Sequence, residues 1–426
     1  MMEELGYRPY GSYKDSHASW LGEVPSDWQV GPGRICIYEN RDKNTGMKES
    51  TVLSLSYGRV IVKDEDKMTG LVPESYETYQ IVQPGDIIIR GTDLQNDVTS
   101  LRTGLAKDHG IITSAYINLR PKPNAYAEFL HYLLHSYDVK KVFYGLGSGL
   151  RQNLSYVDFK YLTIPLPSLP EQRAIVAFLD DKCAKIEGAV KIKEDQIALL
   201  RERRQIIIQD AVTGGLNPAA PMKDSGIDWI GQIPAHWEVK KASWYFAARK
   251  GGNAADLTKE YCGKFPGQFA VYSGQTENEG VLGRIENFEF DFQEQGCMLC
   301  STVGAKAMTI RFLKERFSLS QNCMIITPRD PAANMEFFSY AFAPIFSYFR
   351  NFIPDHMQAS FRMEDFYQMK FLLPPVAEQI KILAKIRRTQ AKLDGGIAIK
   401  HDQIAALKEY KTSLINAAVT GKIKVI

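Results

Sequence analysis

The sequence predicts an α+β chain in which two similar mixed α/β bodies are joined by two long antiparallel helices forming a coiled coil. The whole is a cyclic, pseudo-two-fold duplication. Three observations carry this expectation. Residues 14–30 (KDSHASWLGEVPSDWQV) recur as residues 223–239 (KDSGIDWIGQIPAHWEV), an offset of 209 with 8 of 17 positions identical. Residues 171–216 recur as 378–423, an offset of 207 with 20 of 46 identical. The second block also carries a heptad pattern in both copies. Two ungapped matches at nearly one offset mark a duplication, and its unit is a whole domain plus a helix, far beyond the repeat of a solenoid.

In chain order the expected organisation is a first body over 1–167, a central helix over 168–216, a second body over 217–373 and a terminal helix over 374–426. Each body is led by its tryptophan motif. In the first body, residues 51–56, 81–82, 85–90 and 111–119 have strand character, punctuated by Gly and Pro, and residues 125–142 read as a helix. In the second, residues 269–272, 298–302, 308–312 and 324–327 read as strands and 335–349 as an aromatic-rich helix. Strands followed by a helix, in both copies, fit one fold with diverged surfaces.

The helices are read from spacing. Leu179, Ile186, Lys193, Leu200 and Ile207 recur every seven residues, with Cys183, Val190, Ile197, Arg204 and Ala211 displaced by four. The second copy repeats this as Ile386, Leu393, Lys400, Leu407, Leu414 and Gln390, Ile397, Ile404, Lys411, Ala418. A 3/4 pattern held over about five heptads describes a helix with one apolar seam. Leu-Pro-Glu-Gln at 169–172 opens the first copy, where proline is tolerated in the first turn. Glycines 214, 215 and 421 stand at the stop positions. About 44 residues give a rod of roughly 66 Å. A seam of that length needs a partner, and the other copy supplies one. Gly188 and Gly395 fall mid-helix, each at a cost of about 1 kcal/mol, so a close helix–helix approach or a kink is expected there.

Composition narrows the function. The 426 residues are 45% apolar and 24% charged, ordinary for a globular chain. No run approaches the ~20 apolar residues of a membrane span, the N-terminus lacks a signal-peptide h-region, and the six scattered Cys form no disulfide framework. A reduced, cytoplasmic protein is expected. The formal charge is +3, with −2 on residues 1–167, 0 on 168–216, −1 on 217–373 and +6 on 374–426. Neither body is basic overall, so any contact with nucleic acid would use local clusters and be weak alone.

Catalytic patterns are missing. The glycines at 145, 147 and 149 fit neither G-x-G-x-x-G nor a phosphate loop, and no G-K-[ST] occurs. Cys297 and Cys300 form a C-x-x-C without a second pair at zinc spacing, though Cys262 and Cys323 exist. His131 and His135 share a helix face without a visible third ligand. Asp86, Asp93 and Asp97 are the carboxylates a nuclease would use, and nothing in the pattern positions them.

The arrangement resembles the specificity subunits of type I restriction–modification systems. The likeness rests on Trp20-Leu-Gly-Glu-Val-Pro-Ser-Asp-Trp28 and Trp229-Ile-Gly-Gln-Ile-Pro-Ala-His-Trp237, on the Pro-Glu-Gln and Ala-Glu-Gln helix starts, and on the two Ala-Val-Thr-Gly helix ends. Residues 84–90, 112–116 and 301–304 add to it, and it spans nearly the whole chain. The resemblance implies a non-catalytic DNA reader. Each body would be a target recognition domain reading one half of a bipartite double-stranded site, and the helical pair would be a ruler for the gap. Two methyltransferase subunits would dock on the helical frame and a motor-nuclease subunit would join them. S-adenosylmethionine, ATP and Mg would belong to those partners, and this chain would bind no cofactor or metal.

Direct base reading needs Arg, Lys, Asn, Gln and Ser side chains on groove-entering loops. The candidates in the first body are Arg90, Thr92, Gln95, Asn96, Ser148, Arg151, Gln152 and Asn153. In the second they are Tyr272, Ser273, Gln275, Thr302, Lys306, Gln358, Ser360 and Arg362. Arg151 and Arg362 are expected at similar places in the two copies. The competing reading is a protein-only coiled-coil scaffold, which the near-neutral bodies favour.

Overall fold

The computed structural model describes residues 6–63, 75–97, 99–146, 153–275, 277–304, 306–354, 357 and 359–425. The chain divides into two compact units, Met1–Glu194 with His401–Ile426, and Asp195–Lys400. The two rods, Leu169–Gly214 and Val376–Val419, match the expected helical segments. Each unit owns the first half of one rod and the second half of the other.

Each unit is built on the same four-stranded antiparallel sheet. In the first unit its spatial order is Ile37–Glu39, Ile117–Pro121, Ile87–Ile89 and Thr103–Leu105. In the second it is Phe246–Arg249, Cys323–Pro328, Cys297–Ser301 and Ile310–Leu313. Both orders are first, fourth, second, third along the chain. The surroundings differ. The first unit adds the hairpin Leu53–Ser56 with Arg59–Val62 and the ladder Gln80–Val82 with Gly110–Ile112. The second adds a four-stranded sheet in which Phe269–Tyr272 runs parallel to Arg316–Leu319. The run expected as one strand over 111–119 is two strands in different sheets. The Gln80 side-chain amide donates to the carbonyls of Thr113 and Tyr116 and holds the turn between them.

One helix backs each sheet. Ala127–Val139 buries Phe129, Leu130, Leu133, Leu134 and Tyr137, and Met335–Arg350 buries Phe337, Phe338, Ala341, Phe342, Ile345 and Phe346. This is the three-and-four spacing of an amphipathic stripe, and each large apolar side chain removed from water contributes about 2 kcal/mol.

The tryptophan motifs join the rods to the bodies. Trp28 and Trp237 are fully buried, and their indole N–H groups donate to Glu171 (3.1 Å) and Glu378 (3.0 Å) in the first turns of the rods. A carboxylate there also suits the positive end of the helix dipole. The following residues, Gln172 and Gln379, are buried and donate to the carbonyls of Pro167 and Pro374, fixing the turn into each rod. The other end of each joint is the tail of the opposite rod. Gly421 has φ +71°, and a Cβ there would sit 2.2 Å from Pro25 and 3.3 Å from Trp28. Gly215, at φ +75°, packs over Trp237, Pro234 and Glu378 in the second unit, where a Cβ would lie 3.0 to 3.5 Å from all three. Only glycine combines that conformation with that approach.

Within each unit the rod halves run antiparallel. In the first, Leu179, Cys183 and Ile186 share a core with Leu414, Ile415 and Ala418, and Lys411 donates to Glu187. In the second, Ala211 and Val212 share a core with Ile382 and Ile386, and Arg204 donates to Asp394. The basic residues that interrupt the seam at 204 and 411 therefore make cross-helix ion pairs. Both rods run unbroken through Gly188 and Gly395. A Cβ at either would meet nothing within 4 Å, so close approach is not what these glycines serve.

Candidate nucleic-acid interface

In each unit one candidate loop follows the same strand of the shared sheet. The first-unit loop leaves Ile87–Ile89 at Arg90, whose Nη1 lies 3.4 Å from the Asp97 carboxylate. Thr92, Gln95 and Asn96 are exposed, while Leu94 between them is fully buried and anchors the loop. Asp93 adopts φ 59° and accepts the Asn96 side-chain amide at 2.7 Å. Its backbone N–H donates to the side chain of Asn153 (2.9 Å), and Leu154 N–H donates to Gly91 O (2.7 Å). The structure thus brings Arg90–Asn96 and Asn153 together. Ser148, Arg151 and Gln152 lie outside the described residues.

Sequence reasoning missed Arg102. It is fully buried beneath this loop, and its guanidinium donates to four loop carbonyls and to the Tyr144 hydroxyl. Nothing in the local sequence marks it, because a surface arginine in a strand would read the same. Asp97 closes the loop by accepting N–H groups from Ser100 and Thr99. Those bonds, with the nearby Arg102 charge, hold its carboxyl at about 2.

In the second unit the loop after Cys297–Ser301 pairs with the segment before the last short helix. Val303 bridges Ser360, Gly304 N–H donates to Ala359 O, and Phe361 N–H donates to Thr302 O. A third loop meets them at Asn322, which has φ 62°. Its carbonyl accepts Thr302 N–H at 2.8 Å and lies 2.3 Å from where a Gly274 Cβ would be. Gln321 and Asn322 are exposed at this meeting point and were not anticipated. Of the expected residues, Gln275, Lys306, Ser360 and Arg362 are exposed and Ser273 is half-buried. The Gln275 amide donates to Val281 O. Gln358 lies outside the described residues.

Three expectations change. Tyr272 is buried and its hydroxyl donates to Glu315, and burial, with that carboxylate beside it, pushes the hydroxyl's pKa up, so it supports its loop from below. Thr302 is likewise buried, and its backbone carries the pairing. Arg362 precedes the helix Met363–Gln368 with its N–H donated to Asp365. The matching position in the first unit is Ser155, bonded in the same way to Asp158, rather than Arg151.

The three acids considered for nuclease chemistry are separately committed. Asp86 is gripped by two nitrogens of Arg120 at 2.7 and 2.8 Å, Asp93 holds Asn96, and Asp97 caps its own turn. The six cysteines are free and buried, and no group of three or more metal-ligating side chains occurs among the described residues. No helix among the described residues is long and apolar enough to cross a membrane.

Comparison with known proteins decides the family. The family model described as the type I restriction modification DNA specificity domain matches residues 50–194 and 235–409. The chain belongs to that family. Its two matches fall on the two duplicated bodies, and as a type I specificity subunit it is a non-catalytic DNA-recognition component of a restriction–modification complex. A Methanocaldococcus jannaschii protein named for the type I restriction enzyme MjaX specificity subunit is 21% identical, over 95% of this chain and 96% of its own length. The StySPI specificity subunit of Salmonella potsdam is 22% identical, over 72% of this chain and 67% of its own. Among solved structures, the HsdS subunit from Thermoanaerobacter tengcongensis covers 97% of this chain and 100% of its own at TM-score 0.51 and 16% identity. A chain from a study of type I R-M complex assembly and conformational transition covers 93% of this one and 98% of its own, at TM-score 0.65 and 15% identity. These structures share the fold of this specificity subunit.

Proposed function

We propose that this specificity subunit reads a bipartite double-stranded DNA site, one half with each recognition domain, and that its helical pair sets the gap between the halves. The observation that carries the reading is the pair of matched sheets, in each of which the loop after the same strand meets other segments that expose polar side chains: Thr92, Gln95, Asn96 and Asn153 in one unit, and Lys306, Gln321, Asn322 and Ser360 in the other. Thr92, Gln95, Asn96 and Asn153 form the first reading set with Arg90. Ser273, Gln275, Lys306, Ser360 and Arg362 form the second, joined by Gln321 and Asn322. Ser148, Arg151, Gln152 and Gln358 belong to the same stretches of sequence. Tyr272 and Thr302 position the second set from inside the domain.

Two methyltransferase subunits dock on the rods and a motor-nuclease subunit joins them, in the cytoplasm. Support for docking comes from Ile192, Leu199 and Ile206, exposed at seven-residue spacing along the central rod, and from Ile399, the duplicate of Ile192. Apolar residues aligned on one exposed helix face offer a surface that a partner helix can cover. With few phosphate contacts available to near-neutral domains, tight binding waits on the partners.

The test is footprinting with the partner methyltransferase present, together with mapping of methylated adenines in the host genome. Two protected segments around an untouched gap are expected. Uniform binding to every duplex of equal length would sink the reading, and partner binding without DNA protection would favour the protein-only scaffold.

A further inference from the structure

We infer that Arg102 is the positioning residue that sets the reading loop of the first domain, so that base selection at the first half-site depends on a side chain buried beneath the loop. The inference rests on the proposed reading of that loop as a DNA contact.

One guanidinium gathers four carbonyls of the loop. Arg102 Nη1 donates to the carbonyls of Arg90 (3.2 Å) and Thr92 (2.8 Å), and Nη2 to those of Asp93 (3.3 Å) and Asp97 (2.5 Å). Nε donates to the Tyr144 hydroxyl at 3.1 Å, and that hydroxyl donates in turn to Asp97 O at 3.0 Å. A guanidinium has five N–H donors in a rigid planar fork, so carbonyls that satisfy it have little freedom to move. Arg102 is itself anchored, because its backbone N–H donates to Asp138 Oδ2 (2.6 Å) on the helix Ala127–Val139. A chain of bonds therefore runs from a rigid helix through one side chain to the loop bearing Thr92, Gln95 and Asn96.

Two further contacts extend the control. Asn96 is stapled to the Asp93 carboxylate, and Asp93 N–H is held by Asn153, so both edges of the reading set hang on residues that Arg102 fixes. Tyr144 belongs to the short helix Val142–Gly145, which leads toward the second candidate stretch of this domain. The second domain uses a different device at the matching loop. The Ser301 hydroxyl donates to Lys306 O (2.7 Å) and accepts Thr309 N–H (3.1 Å). Removing the Arg102 fork should therefore disturb one half-site only.

The experiment uses the full specificity subunit assembled with its methyltransferase and libraries randomised at each half-site. Arg102→Met, Arg102→Lys and the milder Tyr144→Phe are compared with the parent. Arg102→Met is expected to lower discrimination at first-half positions by ~10-fold or more, the size of one lost base-pair preference, with second-half discrimination nearly unchanged and the melting temperature lowered, because the carbonyls it served lose their donor. Arg102→Lys keeps the charge but not the fork and should fall between, and Tyr144→Phe should show the same pattern more weakly. Unchanged first-half selectivity, or equal loss at both half-sites, would overturn the inference. If the parent itself shows no split site, the proposed function has failed and takes this inference with it, an outcome separate from either of these.

Discussion

Lys411 donates to Glu187 at 2.6 Å, and this ion pair is the duplicate of the one between Arg204 and Asp394, also 2.6 Å. A shift of 207 carries residue 187 onto 394 and 204 onto 411. In both pairs the residue numbers sum to the same value, 598, so each unit pairs its own two rod halves in the same antiparallel register. All four side chains are at least 30% exposed, which limits each pair to about 0.5 kcal/mol. A double-mutant cycle with Lys411→Ala and Glu187→Ala should return a coupling of that size, shrinking with added salt. Zero coupling at low salt would mean the pair sets register without stabilising it.

Gly188 and Gly395 offer the opposite lesson. Each is exposed and mid-helix, with open space on the side where a Cβ would project, so nothing offsets its conformational cost. Alanine at each should raise stability by up to about 1 kcal/mol, read as a higher denaturant midpoint at constant slope. A loss of stability would show that the rods bend at these points in solution.

The tryptophan joints should be costly to break. Trp237→Ala opens a cavity under the tail of the central rod and should destabilise by about 3–5 kcal/mol. Glu378→Gln keeps the shape and an acceptor, but loses the charge that meets His236 (2.7 Å) and the helix dipole, and should cost about 1 kcal/mol. Equal costs for the two changes would contradict the packing role given to the indole. Trp28 and Glu171 should behave alike in the first unit.

Acid should weaken the first unit through His131. Burial, with the neighbouring charges of His135 and Lys107, holds its folded pKa near 4 against the ordinary 6.5, while the Thr103 backbone acts weakly the other way. Between those values the unfolded chain binds more protons, so stability rises with pH across that window, at most about 1.4 kcal/mol per pH unit. His131→Phe should flatten unfolding free energy between pH 4 and 6.5. An unchanged slope would assign the acid sensitivity elsewhere.

If the rods are the spacer, their length is the gap. Inserting seven residues at both Gly188 and Gly395 keeps the seam in phase and adds about 10 Å. The methylated or footprinted gap should grow by about three base pairs at 3.4 Å per step. A gap of constant length would remove the helices from that role.

Much of this architecture was legible because duplication and heptads are long-range, redundant signals. Seven-residue spacing placed both rods to within a few residues, and apolar runs such as 269–272 placed the strongest strands. The strands Ile37–Glu39 and Thr103–Leu105 are three residues long and carry too few alternations to stand out. Loop composition drew attention to Thr92, Gln95 and Asn96, which the structure exposes on one loop. It misjudged Tyr272, because a strand's last aromatic residue looks alike whether it faces outward or bonds Glu315 within. Arg102 escaped because its role exists only once Arg90, Thr92, Asp93 and Asp97 have folded around it.

The division of the chain also has a consequence for its synthesis. The first unit includes His401–Ile426, and Leu414, Ile415, Ala418, Val419 and Ile423 belong to its core. Residues 1–194 therefore wait for residues 401–426 to be made before their unit can close, while the unit spanning Asp195–Lys400 has all its parts earlier. A nonsense mutation just past codon 400 would strand the leading half as an open, aggregation-prone nascent species beside an intact trailing one.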